Sequence, residues 1–126
     1  VFDMKMRFLT LCLLGMIPAQ ASAHVTANPN NGVSGAYFQT SFRISHGCDG
    51  KDVVGVQIQL PPEIYTARAQ AKPGWDVKIT KSKLEKPVAG PHGKTMEERV
   101  DSIEWRGGPL PDAQYDDFGL LFKLPE

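Results

Sequence analysis

The sequence predicts an all-β domain, an antiparallel sandwich of immunoglobulin-like type, and three observations carry that expectation. Five runs alternate apolar and polar residues with a period of two. Glycine and proline separate those runs at short spacing. No stretch after residue 23 shows the 3.6-residue apolar period of a convincing helix. A half-open barrel is the competing architecture.

In the first run Phe38, Thr40, Phe42 and Ile44 alternate with Gln39, Ser41 and Arg43. The second sets Val54, Val56, Ile58 and Leu60 against Gly55, Gln57 and Gln59, and Pro61-Pro62 ends it because proline cannot donate to a ladder. Trp75, Val77 and Ile79 form the third, directly after the Pro73-Gly74 turn. Ile103 and Trp105 mark the fourth, closed by Gly107-Gly108, and Phe118, Leu120, Phe122 and Leu124 give the fifth. Shorter strands are expected around Tyr65 to Ala71 and at Val25 to Ala27. Lys83 to Glu98 is polar and contains Pro87, Gly90, Pro91 and Gly93, so it is expected to be a long surface loop.

The first 23 residues follow a different logic. Lys5 and Arg7 supply a short positive region, Phe8 to Ile17 an almost unbroken apolar run, and Pro18 breaks it before Ala21-Ser22-Ala23. That is the layout of a secretory signal peptide, too short for a permanent bilayer anchor. The expected division is residues 1–23 as signal peptide and 24–126 as one small sandwich domain, exported to a periplasmic or extracytoplasmic compartment. Membrane contact is then limited to the transient signal. The chain opens on Val1 and closes on Leu124-Pro125-Glu126 after a strand-like run, so the C-terminal strands are expected to lie beyond residue 126.

Charge narrows the function classes. The whole chain balances 14 Lys+Arg against 14 Asp+Glu, and Asp3, Lys5 and Arg7 leave with the signal. The remainder is near neutral with scattered basic residues, which offers nothing to a phosphate backbone or an anionic lipid surface. Nucleic acid is therefore not an expected partner. Enzymatic signatures are thin: there is no glycine-rich phosphate loop, Gly-x-Ser-x-Gly elbow, Cys-x-x-Cys pair or His-Glu-x-x-His helix. Cys48 is the one cysteine outside the signal, which is odd for an exported chain. It is free, or joined to another molecule, or paired with a cysteine downstream of residue 126.

Cleavage after Ala23 gives His24 a free α-amine beside its own imidazole. The amine nitrogen and Nδ1 can close a chelate ring, and such nitrogen donors favour copper(II) among divalent first-row metals. Thr26 stands at the third position, so the amino-terminal motif built on a third-residue imidazole is absent. Met96 is the one methionine left after cleavage, which argues against a thioether copper(I) site. Further ligands must come from elsewhere. His46 lies in the turn-rich Ser45–Gly50 loop, and Asp116 and Asp117 precede the last run. The ordinary role of such residues is a loop hydrogen bond or a solvated charge, and a ligand role requires closeness to His24. His92, within Gly90–Gly93, is a weaker choice.

Several motifs in order carry a family likeness. His24-Val25-Thr26 after Ala-x-Ala, His46-Gly47-Cys48, Pro73-Gly74-Trp75, Ile103-Glu104-Trp105 with Gly107–Asp112, and Tyr115–Phe118 together resemble the YcnI-like family of exported copper-binding domains. The resemblance implies a cupredoxin- or immunoglobulin-like sandwich. It also implies copper(II) held by the processed N-terminal histidine in a single-histidine brace. By the same likeness, a tryptophan near the metal and the partner of Cys48 lie beyond residue 126, so Trp75 and Trp105 are expected in the core.

The expected function is copper(II) binding in trafficking or tolerance, with a membrane copper transporter or a copper chaperone as exchange partner. Two other classes stand beside it. A copper-dependent oxidase or monooxygenase would need a second histidine and an open position facing substrate. A structural sandwich domain would bind no metal at all.

Overall fold

The computed structural model of the chain describes residues 2–3, 7–12, 25–45, 47 and 49–126, the first two stretches by their backbone alone. Ten strands lie among the described residues: β1 (Phe2–Asp3), β2 (Arg7–Cys12), β3 (Val25–Asn28), β4 (Asn31–Gly32), β5 (Tyr37–Ile44), β6 (Val53–Gln59), β7 (Ala67–Ala69), β8 (Trp75–Ala89), β9 (Thr95–Leu110) and β10 (Asp116–Lys123). One four-stranded sheet runs β3-β5-β10-β7 and the other β2-β6-β9-β8, with β1 and β4 in a minor ladder. Every pairing is antiparallel. The expected sandwich is the architecture observed.

Alternation decides which side chains face inward. On β5, Phe38, Thr40, Phe42 and Ile44 are buried while Tyr37, Gln39 and Arg43 face water. On β10, Phe118, Leu120 and Phe122 are buried, and the register sets Phe42 opposite Phe118 and Phe38 opposite Phe122. The second sheet supplies Val56 and Ile58 from β6 and Trp105 and Ile103 from β9, again directly opposite one another. Thr40 is a hydroxyl inside this apolar layer; it donates to the Pro29 carbonyl, so its burial leaves no unmet polar group.

Phe118 sits at the centre of an aromatic cluster. The Trp75 ring meets it edge-on at 5.1 Å and the Trp105 ring, tilted, at 5.3 Å. Trp105 is fully buried, and its indole N–H donates to the Gln70 carbonyl at 3.0 Å, which is how so large a polar-edged ring is accommodated in a core. Trp75 is only partly buried and packs against that core from the edge.

The segment expected as a loop, Lys83 to Glu98, is instead the outer part of a long hairpin formed by β8 and β9. Lys83 pairs with Glu98 and Val88 with Met96, and Pro91–Gly93 makes a tight 3-10 turn at the tip. The glycine and proline signals marked the tip correctly and overstated the loop. Within the arm Leu84, Val88, Gly90 and Met96 are half-buried and the other residues are exposed, so no face is packed enough to demand apolar alternation. Pro87 is tolerated because β8 is an edge strand, whose outward N–H groups have no ladder partner to lose. The additional strand expected from Tyr65 to Ala71 shrinks to Ala67–Ala69, and that at Val25 to Ala27 is β3. Among the described residues no helix is long and apolar enough to cross a membrane.

A paired hairpin and a loose loop differ in protease sensitivity. Native-state trypsin is expected to cut after Lys94, at the exposed tip, well before Lys81 or Lys83 within the ladder. Equal cleavage at all three sites, read by peptide mass over time, would show that the outer hairpin is not formed.

Candidate functional site

One end of the β3-β5-β10 sheet carries Asp116 and Asp117 together with described neighbours of the singled-out histidines. Val25, Ile44 and Asp116 lie side by side across three strands. The strand that follows His24 therefore starts beside the last residue of β5, and Ile44 leads straight into the Ser45–Gly50 loop. His24, His46 and Cys48 themselves lie outside the described residues. Their described neighbours Val25, Ser45, Gly47 and Asp49 frame this end of the molecule.

Asp116 and Asp117 are both here, and both hold cations. Asp117 takes the Arg43 guanidinium with two oxygens, Nε to Oδ1 at 2.9 Å and Nη2 to Oδ2 at 3.1 Å. Arg43 also lies over the Tyr115 ring, 4.9 Å from its centre. The hydrogen bond from Arg43 holds the Asp117 carboxyl below the usual carboxylate range, and the same bond pushes the Arg43 guanidinium up. The Asp116 carboxylate is used through a single oxygen: Oδ1 accepts from Lys72 Nζ at 2.9 Å and from the Asp117 backbone N–H at 2.7 Å. Lys72 is well buried for a lysine. It also donates to the Asp117 carbonyl at 2.9 Å and lies 4.8 Å from the centre of the Phe118 ring, so the aromatic cluster and the acidic pair share one cation.

A second set of contacts ties the loops of this end together. The Asp112 carboxylate accepts from the Gly47 N–H at 3.3 Å, and the Asp112 N–H donates to the Asp52 carboxylate at 3.2 Å. Gly47 is buried so tightly that a Cβ there would meet the Lys51 carbonyl oxygen at 1.9 Å. No other residue type fits without moving that turn. The motifs Pro73-Gly74-Trp75 and Gly107-Gly108-Pro109, read separately in the sequence, meet at the same end. Gly108 donates to the Gly74 carbonyl at 3.1 Å, and its bare Cα receives the Trp75 indole, which a Cβ would approach to 2.7 Å.

Sequence reading singled out Asp116 and Asp117 as residues, without placing them, and missed Lys72, Arg43 and Asp52. No local pattern marks a lysine that will reach a carboxylate 44 residues away. His92 stands apart, at the hairpin tip, about 50 Å along β8 from Trp75 at ordinary strand rise. Among the described residues no group of three or more His, Cys, Asp or Glu side chains stands close enough to hold a metal.

A sandwich of two antiparallel sheets with loops and a strand start gathered at one end is an immunoglobulin-like domain. The crystal structure of an uncharacterized protein from Nocardia farcinica, described as having an immunoglobulin-like fold, superposes with a TM-score of 0.59 at 24% identity. The match covers 82% of this chain and 69% of that one, so just under a third of the latter has no counterpart here. No curated protein matches the chain. Residues 24–126 match the family described as a domain of unknown function, DUF1775, and the chain belongs to that family.

Two measurements test this end. Asp112→Ala is expected to cost about 1.5–3 kcal/mol in urea unfolding, the scale of a hydrogen bond to a carboxylate. Asp112→Asn keeps an acceptor oxygen and is expected to lose clearly less; equal losses would mean that Gly47 does not depend on this bond. Asp117 has its folded pKa lowered, so its contribution is present above the ordinary aspartate value near 3.9 and fades as pH falls through the lower folded value. The gap in urea midpoint between wild type and Asp117→Asn should therefore be flat above about pH 5 and close below about pH 4. A gap independent of pH from 7 to 2 would contradict the pairing.

Proposed function

We propose that the protein is an exported copper(II)-binding domain of YcnI-like type. It holds the ion through the α-amine and Nδ1 of a processed His24 and acts in copper trafficking or tolerance outside the cytoplasm. The observation that supports this reading is the register of Val25, Ile44 and Asp116. A chain that begins at His24 begins at the sheet end that also carries the Ser45–Gly50 loop and the Asp112–Asp117 turn.

The donor chemistry suits copper(II), with nitrogen first and carboxylate oxygen second. His46 is the further nitrogen candidate. Of the two carboxylates, Asp117 has both oxygens on Arg43, whereas both hydrogen bonds of Asp116 fall on Oδ1. Asp116 is thus the better added ligand, through Oδ2. Lys72 and Arg43 balance the two carboxylates, so the site gains no net negative charge that would hold cations indiscriminately. Delivery or withdrawal of the ion calls for a partner such as a membrane copper transporter or a copper chaperone.

His24→Ala removes the imidazole, and one extra residue before His24 removes the terminal chelate without altering any side chain. Both are expected to lower copper(II) affinity by orders of magnitude, while His92→Ala leaves it unchanged. Free α-amines ordinarily titrate at about 7.7–8.0 and imidazoles at about 6.5, so binding through these groups displaces protons and should weaken as pH falls below about 6. Competitive titration and electron paramagnetic resonance report both effects. An extended variant with wild-type affinity and an identical spectrum would rule out the N-terminal chelate.

A further inference from the structure

The β2-β6-β9-β8 sheet has two edge regions of opposite character. β8 is fifteen residues long and carries Lys78, Lys81, Lys83 and Lys86, with Pro87 and breaks in register after Thr80 and after Lys83. Lysines, proline and bulges are the features that keep an edge from pairing with another strand. β6 has neither lysine nor proline, and its one break in register lies at its first residues, between Val53 and Gly55. Its sequence, VVGVQIQ, carries no charge and no proline, and Val53, Val56 and Ile58 are buried beneath it. Left open, such a segment is a template for strand addition. In this structure Arg7–Cys12 occupies that side, from Arg7 opposite Gln59 to Cys12 opposite Val53.

Under the reading proposed above, on which this inference rests, Arg7–Cys12 departs with the signal peptide and the unguarded side of β6 is uncovered. We propose that in the exported protein this edge is completed by an antiparallel strand supplied by the chain downstream of Glu126. Direction supports that occupant. β6 starts at the candidate-site end, just after the Ser45–Gly50 loop, and runs away from it. β10 runs the same way, from Asp116 opposite Ile44 to Lys123 opposite Tyr37. Chain leaving Glu126 and turning back therefore travels antiparallel to β6, the sense in which Arg7–Cys12 lies. The passage needs one crossing between sheets at the end of the sandwich, the usual connection in such folds. The Nocardia farcinica chain, with just under a third of its length unmatched, is large enough to hold such an element.

The test is nuclear magnetic resonance on isotope-labelled exported protein made from its complete gene, with intact mass fixing its first residue. The expected mass begins at His24. Cross-strand contacts from Val53–Gln59 are expected to run on one side to Ser102–Leu110 and on the other to residues numbered above 126 of the same chain. The β6 amides should exchange about 100-fold more slowly than the outward amides of β8. Contacts to a second copy, visible in a mixed-label sample, or fast exchange along one side of β6, overturn the proposal while leaving the copper reading intact. Contacts to Arg7–Cys12 in a protein whose mass retains residues 1–23 overturn both, because His24 is then not a terminus.

Discussion

Eight consecutive pairings between β5 and β10 govern both the core and the candidate site. Setting Phe42 against Phe118 puts three inward residues of β10 into the aromatic and aliphatic layer, and in the same stroke sets Asp117 against Arg43. A slip of one residue would turn Phe118, Leu120 and Phe122 toward water and Gly119 and Leu121 inward. It would also carry Asp116 and Asp117 away from Lys72 and Arg43. The burial of three large side chains outweighs any surface ion pair. Hydrophobic packing therefore fixes the register, and the charges at the strand start inherit their positions from it.

Lys72 shows how the two levels join. Its ammonium is shared by the Asp116 carboxylate, the Asp117 carbonyl and the face of Phe118, while Trp75 and Trp105 hold that ring from other sides. A lysine so shielded from water requires such partners, since an unpaired buried ammonium is strongly unfavourable. The start of β10 is accordingly stiffened by the same aromatic group that anchors the core. The Asp52–Asp112–Gly47 contacts do comparable work for the loops beside it.

Much of this was legible in the sequence, and the reasons differ by element. β5, β6 and β10 bury one face each, so their period-two pattern announces them. The outer halves of β8 and β9 bury neither face fully; Lys83, Glu85, Glu97 and Glu98 carry no alternation, and pairing is imposed by the inner halves, where Val77 meets Trp105 and Ile79 meets Ile103. Propagation of a ladder from a packed base leaves no local signature. The aspartates of the candidate site were visible as residues, but their cations were not. Arg43 and Asp117 are 74 positions apart, and only the folded register brings them within reach. Pro73-Gly74-Trp75 and Gly107-Gly108-Pro109 were visible as two turn motifs. That they interlock, one glycine floor beneath one indole, is a property of the sheet.

The hairpin arm has a practical meaning of its own. Pro91, His92, Gly93 and Lys94 are all exposed, at the far end of a two-stranded ribbon whose base is anchored by Trp105. Segments grafted into such a tip lengthen the ribbon without entering either sheet. The molecule thus carries a natural handle, well separated from Val25 and the candidate site, where an epitope, a fluorophore or a surface tether can be attached without touching that end of the sandwich.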